Sequence, residues 1–176
     1  MIILDIDLAI NGDKEAYQRL IEQNKRYLYN ISIAILNNVD DAGDALSETI
    51  IKAYQKLDTL RNPEYFRTWL TRILINECKK LLKTRRKVVS IEEMKENLKE
   101  KEDALQKETI LDLRKAICSL EPKMKTVIVL HYYNELKLEE IAEILEIPVG
   151  TVKSRLYHAK KYLYEILEKG RRENNG

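Results

Sequence analysis

A proline set between two amphipathic helical patterns constrains this chain more than any other feature. Leu138, Ile141, Ala142 and Leu145 recur at the spacing of one helix face, and the small Ala142 leaves room for a second helix to cross close by. Proline disfavours helical geometry at Ile147 and is well tolerated in the first turn of a following helix, so Glu146-Ile147-Pro148 stops one helix and starts another. Beyond it Val152, Leu156, Ala159 and Leu163 step by four, three and four residues, a stripe expected to be buried. Ser154, Tyr157, His158 and Lys161 fall on the opposite side. The pattern is that of a helix-turn-helix. Its polar side has one sign: no acid occurs between Glu146 and Glu165, while Lys153, Arg155, Lys160 and Lys161 are cationic, as an element entering a groove between phosphates requires.

The rest of the composition points to helices. With only five Gly and three Pro in 176 residues, and few runs alternating at strand period, the expectation is an all-α protein of two small helical domains. Net charge is only +2, too small to indicate nucleic acid unless it is unevenly distributed, and it is: residues 88–108 hold four basic and seven acidic groups, and the segments on either side are basic. Cys78 and Cys118 lack metal-ligand spacing and read as reduced thiols. The opening Met-Ile-Ile-Leu-Asp-Ile-Asp has no signal-peptide pattern and no apolar run reaches membrane-spanning length, so a cytoplasmic protein that does not insert into a membrane is expected. No paired carboxylates, Ser/His/Asp order, glycine-rich phosphate loop or metal cluster is present, which argues against an enzyme, a resident metal or a cofactor. His131, on an apolar helix side with no second ligand in view, reads as a packed imidazole.

Along the chain, Asp13 caps a helix whose Ala16, Tyr17, Leu20, Tyr27, Leu28, Ile31 and Ile35 form the apolar face, ending at Asn37 and Asn38. A second helix from Asp40 or Asp41 buries Ala45, Leu46, Thr49, Ile50, Ala53, Tyr54 and Leu57. Its other face carries Asp44, Ser47, Glu48, Ile51, Lys52 and Gln55, where Ile51 is either a protein-contact anchor or a lone exposed residue. A loop spans Asp58 to Pro63. A long helix then runs from about Glu64 to Arg86, with Tyr65, Phe66 and Trp69 in its first turns and Arg67, Arg72, Lys79, Lys80, Lys83, Arg85, Arg86 and Lys87 along its length. Aromatics beside cations suit unpaired bases and their phosphates, although Phe66 and Trp69 also fit a core, and for Trp69 both can hold. Val88 to Lys107 lacks a broad apolar face and reads as an acidic flexible linker. Ile110, Leu113, Ile117 and Leu120 mark a helix that stops before Glu121-Pro122; another, with Met124, Val127, Ile128, His131 and Tyr132, precedes the helix-turn-helix.

Three stretches stand out in order and spacing: Asp41-Ala-Gly-Asp-Ala-Leu-Ser-Glu-Thr-Ile-Ile-Lys-Ala-Tyr, Tyr65-Phe-Arg-Thr-Trp-Leu-Thr-Arg-Ile-Leu-Ile-Asn-Glu-Cys-Lys-Lys, and Leu138-Glu-Glu-Ile-Ala-Glu-Ile-Leu with Ile147-Pro-Val-Gly-Thr-Val-Lys-Ser-Arg-Leu. Taken together they resemble a bacterial RNA polymerase sigma factor of the extracytoplasmic-function (ECF) group. The helix-turn-helix alone would also fit a response-regulator output domain, and a stand-alone transcriptional regulator with an N-terminal sensor or dimerisation domain is the competing reading. The resemblance implies that residues 1–87 are sigma region 2, 88–107 a linker and 108–176 sigma region 4. It also implies a promoter-specificity subunit, monomeric when free, that serves a stress response and is commonly held by an anti-sigma factor, often membrane-bound. Its other partners would be core RNA polymerase and promoter DNA, as duplex and as nontemplate single strand. Asp44, Glu48, Ile51 and Gln55 become candidates for polymerase contact. The loop holding Leu60, Arg61, Asn62, Tyr65 and Phe66 matches the segment that captures a flipped minus-ten base, with Trp69, Arg72, Asn76, Lys79 and Lys80 beside it. Asn76 could read a base edge where a lysine could only neutralise phosphate. Lys153, Ser154, Tyr157 and His158 match positions facing the minus-35 element, and Arg155 a phosphate contact. One departure stands out: family members usually carry glycine where this chain has Glu146, a position that often turns left-handed, so a side chain there should cost about 1 kcal/mol.

Overall fold

The structure is a computed structural model that describes residues 2–88 and 113–174, and those residues form two compact units. No strand occurs among the described residues. The expected linker lies almost entirely outside them.

Four helices make the N-terminal unit: α1 (Ile2–Ile10), α2 (Lys14–Leu36), α3 (Val39–Gln55) and α4 (Phe66–Val88), with short 3-10 turns at Leu57–Thr59 and Pro63–Tyr65. The boundaries follow from local chemistry. Asp13 accepts from the backbone N–H groups of Glu15 and Ala16, satisfying two of the donors that a helix start leaves open. Asn37 closes α2 in the left-handed conformation (φ 50°), which asparagine tolerates, and the Asn38 side chain then caps α3 through the Asp41 N–H. The helices meet over Ile6, Leu20, Leu28, Ile31, Leu70, Leu74 and Ile75, all fully buried. Buried hydroxyls are satisfied within the bundle: Ser32 donates to the carbonyls of Tyr29 and Ala42, and Thr49 to that of Ala45. Helix α1 was not expected from the sequence. It packs Ile6 and Ala9 against the unit and is tied to α2 by Arg19, whose guanidinium lies 2.6 Å from the buried Asp5 carboxylate.

The C-terminal unit holds a helix described over residues 113–119 (α5), α6 (Pro122–Ile128), α7 (Leu138–Leu145) and α8 (Val149–Asn174). Its core comprises Val127, Val129, Leu130, Ile141, Ile144, Val152, Leu156 and Ala159. Two expectations need correction. Helix α6 widens into a π segment at Val129–Tyr133, whose wider turn shifts the residues within it off the 3.6-residue spacing, and Tyr132 is exposed instead of continuing the apolar side. Leu163 is only half-buried, not buried as its place in the stripe suggested. His131 places Nδ1 3.0 Å from the Leu136 carbonyl oxygen, so that nitrogen carries the proton and the ring pins the turn ahead of α7.

The candidate interface surfaces

The turn between α7 and α8 fixes how the second helix is presented. Glu146 adopts φ 55°, ψ 46°, and its N–H reaches the Glu143 carbonyl while the Ile147 N–H reaches that of Ala142 at 3.1 Å. This paired closure normally employs glycine at the left-handed residue. The Pro148 carbonyl then accepts the first bonds of α8, from Thr151 and Val152, so the proline sits just ahead of the new helix, where its missing N–H costs nothing. With Val152, Leu156 and Ala159 buried, Lys153, Ser154, Tyr157 and His158 are exposed together, and Arg155 is half-buried at their flank. Tyr157 is 65% exposed and meets His158 edge-on, with ring centroids 5.5 Å apart. Lys160 lies over the exposed Tyr132 ring at 5.8 Å. Lys125 belongs to no such face: it is buried on α6, and desolvation pulls its ammonium below the ordinary range.

In the N-terminal unit, Trp69, Arg72, Asn76, Lys79 and Lys80 recur at spacings of three and four along α4 and so share one side of it. Asn76, Lys79 and Lys80 are exposed; Trp69 and Arg72 are half-buried. The loop before α4 divides in two. Leu60 and Phe66 are buried and hold the loop to the bundle, whereas Arg61, Asn62 and Tyr65 are exposed. Phe66 also supports Trp69, ring centroid to ring centroid 5.9 Å. Arg67, one of the cations along this helix, is held by the bundle itself, with its guanidinium 4.9 Å above the Tyr27 ring and its Nε donating to Asn24.

On α3, Asp44, Glu48, Ile51 and Gln55 are all exposed, and Ile51, at 51%, is an apolar point amid polar neighbours. Ile50 is half-buried and Tyr54 exposed, not buried as the spacing suggested; Tyr54 instead packs edge-on against Tyr17 at 5.0 Å. The Tyr17 hydroxyl donates to the Ile50 carbonyl, and burial raises its pKa.

Sequence reasoning missed an ionic cluster that joins α3 to α4. Glu77 is buried on α4, and its carboxylate accepts from Lys52 across the helix pair at 2.5 Å and from Lys80 at 2.9 Å; Lys52 also reaches Glu48 at 3.4 Å. Burial disfavours the charged form of Glu77, yet the two lysines outweigh it and hold the carboxyl below the ordinary carboxylate range. The hydrogen bond that Lys52 donates to Glu77 holds its ammonium above the usual range. The Glu48/Lys52 and Glu77/Lys80 spacings were readable as same-helix pairs; the contact across the helices left no sequence signal. Cys78, beside this cluster, is buried, and desolvation pushes its thiol up to about 12.

Residues 20–88 match the family Sigma-70 region 2, and residues 110–163 match Sigma-70, region 4. The chain is 37% identical over 144 residues to RNA polymerase sigma factor SigV of Bacillus subtilis (strain 168), a stretch covering 81% of this chain and 86% of that protein. To the ECF RNA polymerase sigma factor SigW of the same organism it is 31% identical over 181 residues, 95% of this chain and 97% of that one. Among solved structures, the sigma factor RpoE in complex with the anti-sigma factor NepR from Bartonella quintana is 25% identical, with a TM-score of 0.73 over 86% of this chain and 96% of that one.

Proposed function

We infer the working of this chain from the family to which it belongs, the RNA polymerase sigma factors of the ECF group. It is a promoter-specificity subunit. Polymerase performs the chemistry, and this chain, itself no catalyst, selects where it begins. The observation that carries the assignment is that both family-matched segments present a cationic, outward-facing side of one helix, α4 in one unit and α8 in the other.

Each side has its own role. On α8, Lys153, Ser154, Tyr157 and His158 read the minus-35 duplex in the major groove, while Arg155 holds a phosphate. On α4, Trp69 stacks on an unpaired minus-ten base, Asn76 reads a base edge, and Arg72, Lys79 and Lys80 neutralise the strand. Arg61, Asn62 and Tyr65 contact the flipped base, and the buried Leu60 and Phe66 act by supporting that loop. Asp44, Glu48, Ile51 and Gln55 dock on core polymerase, with Ile51 as the apolar anchor of a polar rim. Residues 1–87 and 108–176 thus work as two weak modules joined by residues 88–107, and effective concentration makes promoter spacing part of the specificity.

The chain acts in the cytoplasm and is a monomer when free of partners; no described helix is long and apolar enough to cross a membrane. A relative solved with an anti-sigma factor supports a partner of that kind here, one that covers both units until a stress releases it. Potassium permanganate footprinting tests the division of labour. Trp69→Ala and Asn76→Ala should impair strand opening while closed binding is largely kept; normal opening in both variants would overturn these roles.

A further inference from the structure

Helix α1 packs on α2 and also on both 3-10 turns, Leu57–Thr59 and Pro63–Tyr65, which bracket the exposed Arg61 and Asn62. Helix α3 packs chiefly on the first turn and α4 on the second, so α1 spans the loop from end to end. The loop holds itself weakly. Each turn is three residues long and is closed by bonds between residues three apart: the Thr59 N–H donates to the Lys56 carbonyl, that of Leu60 to Leu57 and that of Tyr65 to Asn62. The separation of the turns is therefore set by packing from outside the loop. Helix α1, at nine residues, is in turn too short to be stable alone in water. Its place depends on the buried Ile6 and Ala9 and on one ion pair, in which Asp5, 5% exposed, accepts from Nε and Nη2 of Arg19 at 3.0 and 2.6 Å. A buried carboxylate that loses its hydrogen-bonded countercharge must be hydrated, and here that requires α1 to shift outward. The match to Sigma-70 region 2 begins at residue 20, so both partners of the pair precede it.

We propose that α1 is a brace that sets the separation of the two turns, and so the shape of the loop between them, with Asp5 and Arg19 as its positioning residues. Its role in initiation rests on the reading of that loop as the receiver of a flipped minus-ten base. The brace itself is a property of the free chain, and it can be absent while that reading stands.

Backbone amide hydrogen exchange in the free full-length chain tests the brace, with Arg19→Ala as the perturbation. Arg19 is exposed on α2 and lies outside the loop, and Trp69 fluorescence verifies that the variant is folded. The α1 amides and those of Thr59, Leu60 and Tyr65 should exchange faster together, by about tenfold, the factor for losing one charge-assisted hydrogen bond. Arg19→Lys should recover part of the protection, and Lys25→Ala, at an exposed position further along α2, should change neither set. Exchange that quickens in α1 but not in the loop, or in neither, would overturn the brace. A second measurement, with polymerase present, compares strand opening on promoters that carry each of the four bases at the captured position. A loosened loop should lose part of its preference among them, whereas a simple loss of stability lowers opening on all four alike. Asn62→Ala, a change in the loop itself, keeps the two readings apart. Full preference in Arg19→Ala beside a lost preference in Asn62→Ala would overturn the brace alone; full preference in both would overturn the loop assignment and the role of the brace with it.

Discussion

Replacing Glu146 should raise or leave unchanged the stability of the C-terminal unit according to backbone conformation, not charge. At φ 55° and ψ 46° its Cβ crowds the following carbonyl oxygen, a cost of about 1–2 kcal/mol for an L-residue in the left-handed region. Glycine escapes that cost but loses more chain entropy on folding, which leaves a net gain of about 1 kcal/mol for Glu146→Gly. Glu146→Asn should recover part of the gain, because asparagine tolerates the same region, whereas Glu146→Ala keeps the Cβ and should gain nothing. For a unit of this size, about 1 kcal/mol corresponds to a rise of roughly 4–8 °C in Tm. Trp69, the single tryptophan, lies in the other unit, so the suitable readout is native-state hydrogen exchange of the α7 and α8 amides. The series should rank Gly above Asn, and Asn above Ala and Glu. If alanine stabilised as much as glycine, the cost would lie in the carboxylate, and the conformational reasoning would be refuted.

Other consequences concern the ionic cluster, the packing of α7 and the exposed side of α8. Glu77 has a lowered carboxyl pKa in the folded state, so its contribution is present above the ordinary value of 4.5 and is lost as pH falls through the folded value. Glu77→Gln should therefore cost about 1–2 kcal/mol near neutrality, a figure reduced for the exposure of Lys52 and Lys80, and progressively less below 4.5. Urea unfolding followed by Trp69 fluorescence reads this directly, and a difference independent of pH would contradict it. Ala142→Leu should destabilise the C-terminal unit by about 1–3 kcal/mol, since Ala142 is buried on α7, a helix that packs against α8. Faster exchange of the α7 amides would show it, and unchanged exchange would mean the crossing has space to spare. Lys153→Ala and Arg155→Ala should each weaken minus-35 binding by about 1 kcal/mol and reduce its salt dependence. Filter binding of the polymerase complex across a salt series checks both, and an unchanged slope would count against phosphate contact by Arg155.

How much of this was legible depended on whether the determining interaction is local in sequence. Asp13, Asn37 and the Glu146-Ile147-Pro148 turn act within a few residues of where they stand, so helix limits and the helix-turn-helix could be read directly. The exposed sides of α3, α4 and α8 followed from helical spacing as well. Helix α1 did not: it has apolar residues all round, with Ile3 and Leu4 exposed and Ile6 and Ala9 buried, so no periodicity marks its inner side. Its anchor, Asp5 to Arg19, links positions fourteen apart. Similarly, the π segment at Val129–Tyr133 shifts the phase of a helix without any proline or glycine to announce it. Leu60 and Phe66 shared a loop with exposed residues, and only tertiary packing separates support from contact.

The central claim is that two outward-facing cationic helices on this chain direct a polymerase to particular start points. In vitro transcription with core polymerase on genomic fragments, with start sites mapped, tests it most directly. Discrete new start sites that require this chain, and that disappear when Lys153 and Trp69 are both replaced by alanine, are expected. Start sites no different from those of core polymerase alone, or tight specific binding of promoter duplex by the free chain, would contradict it.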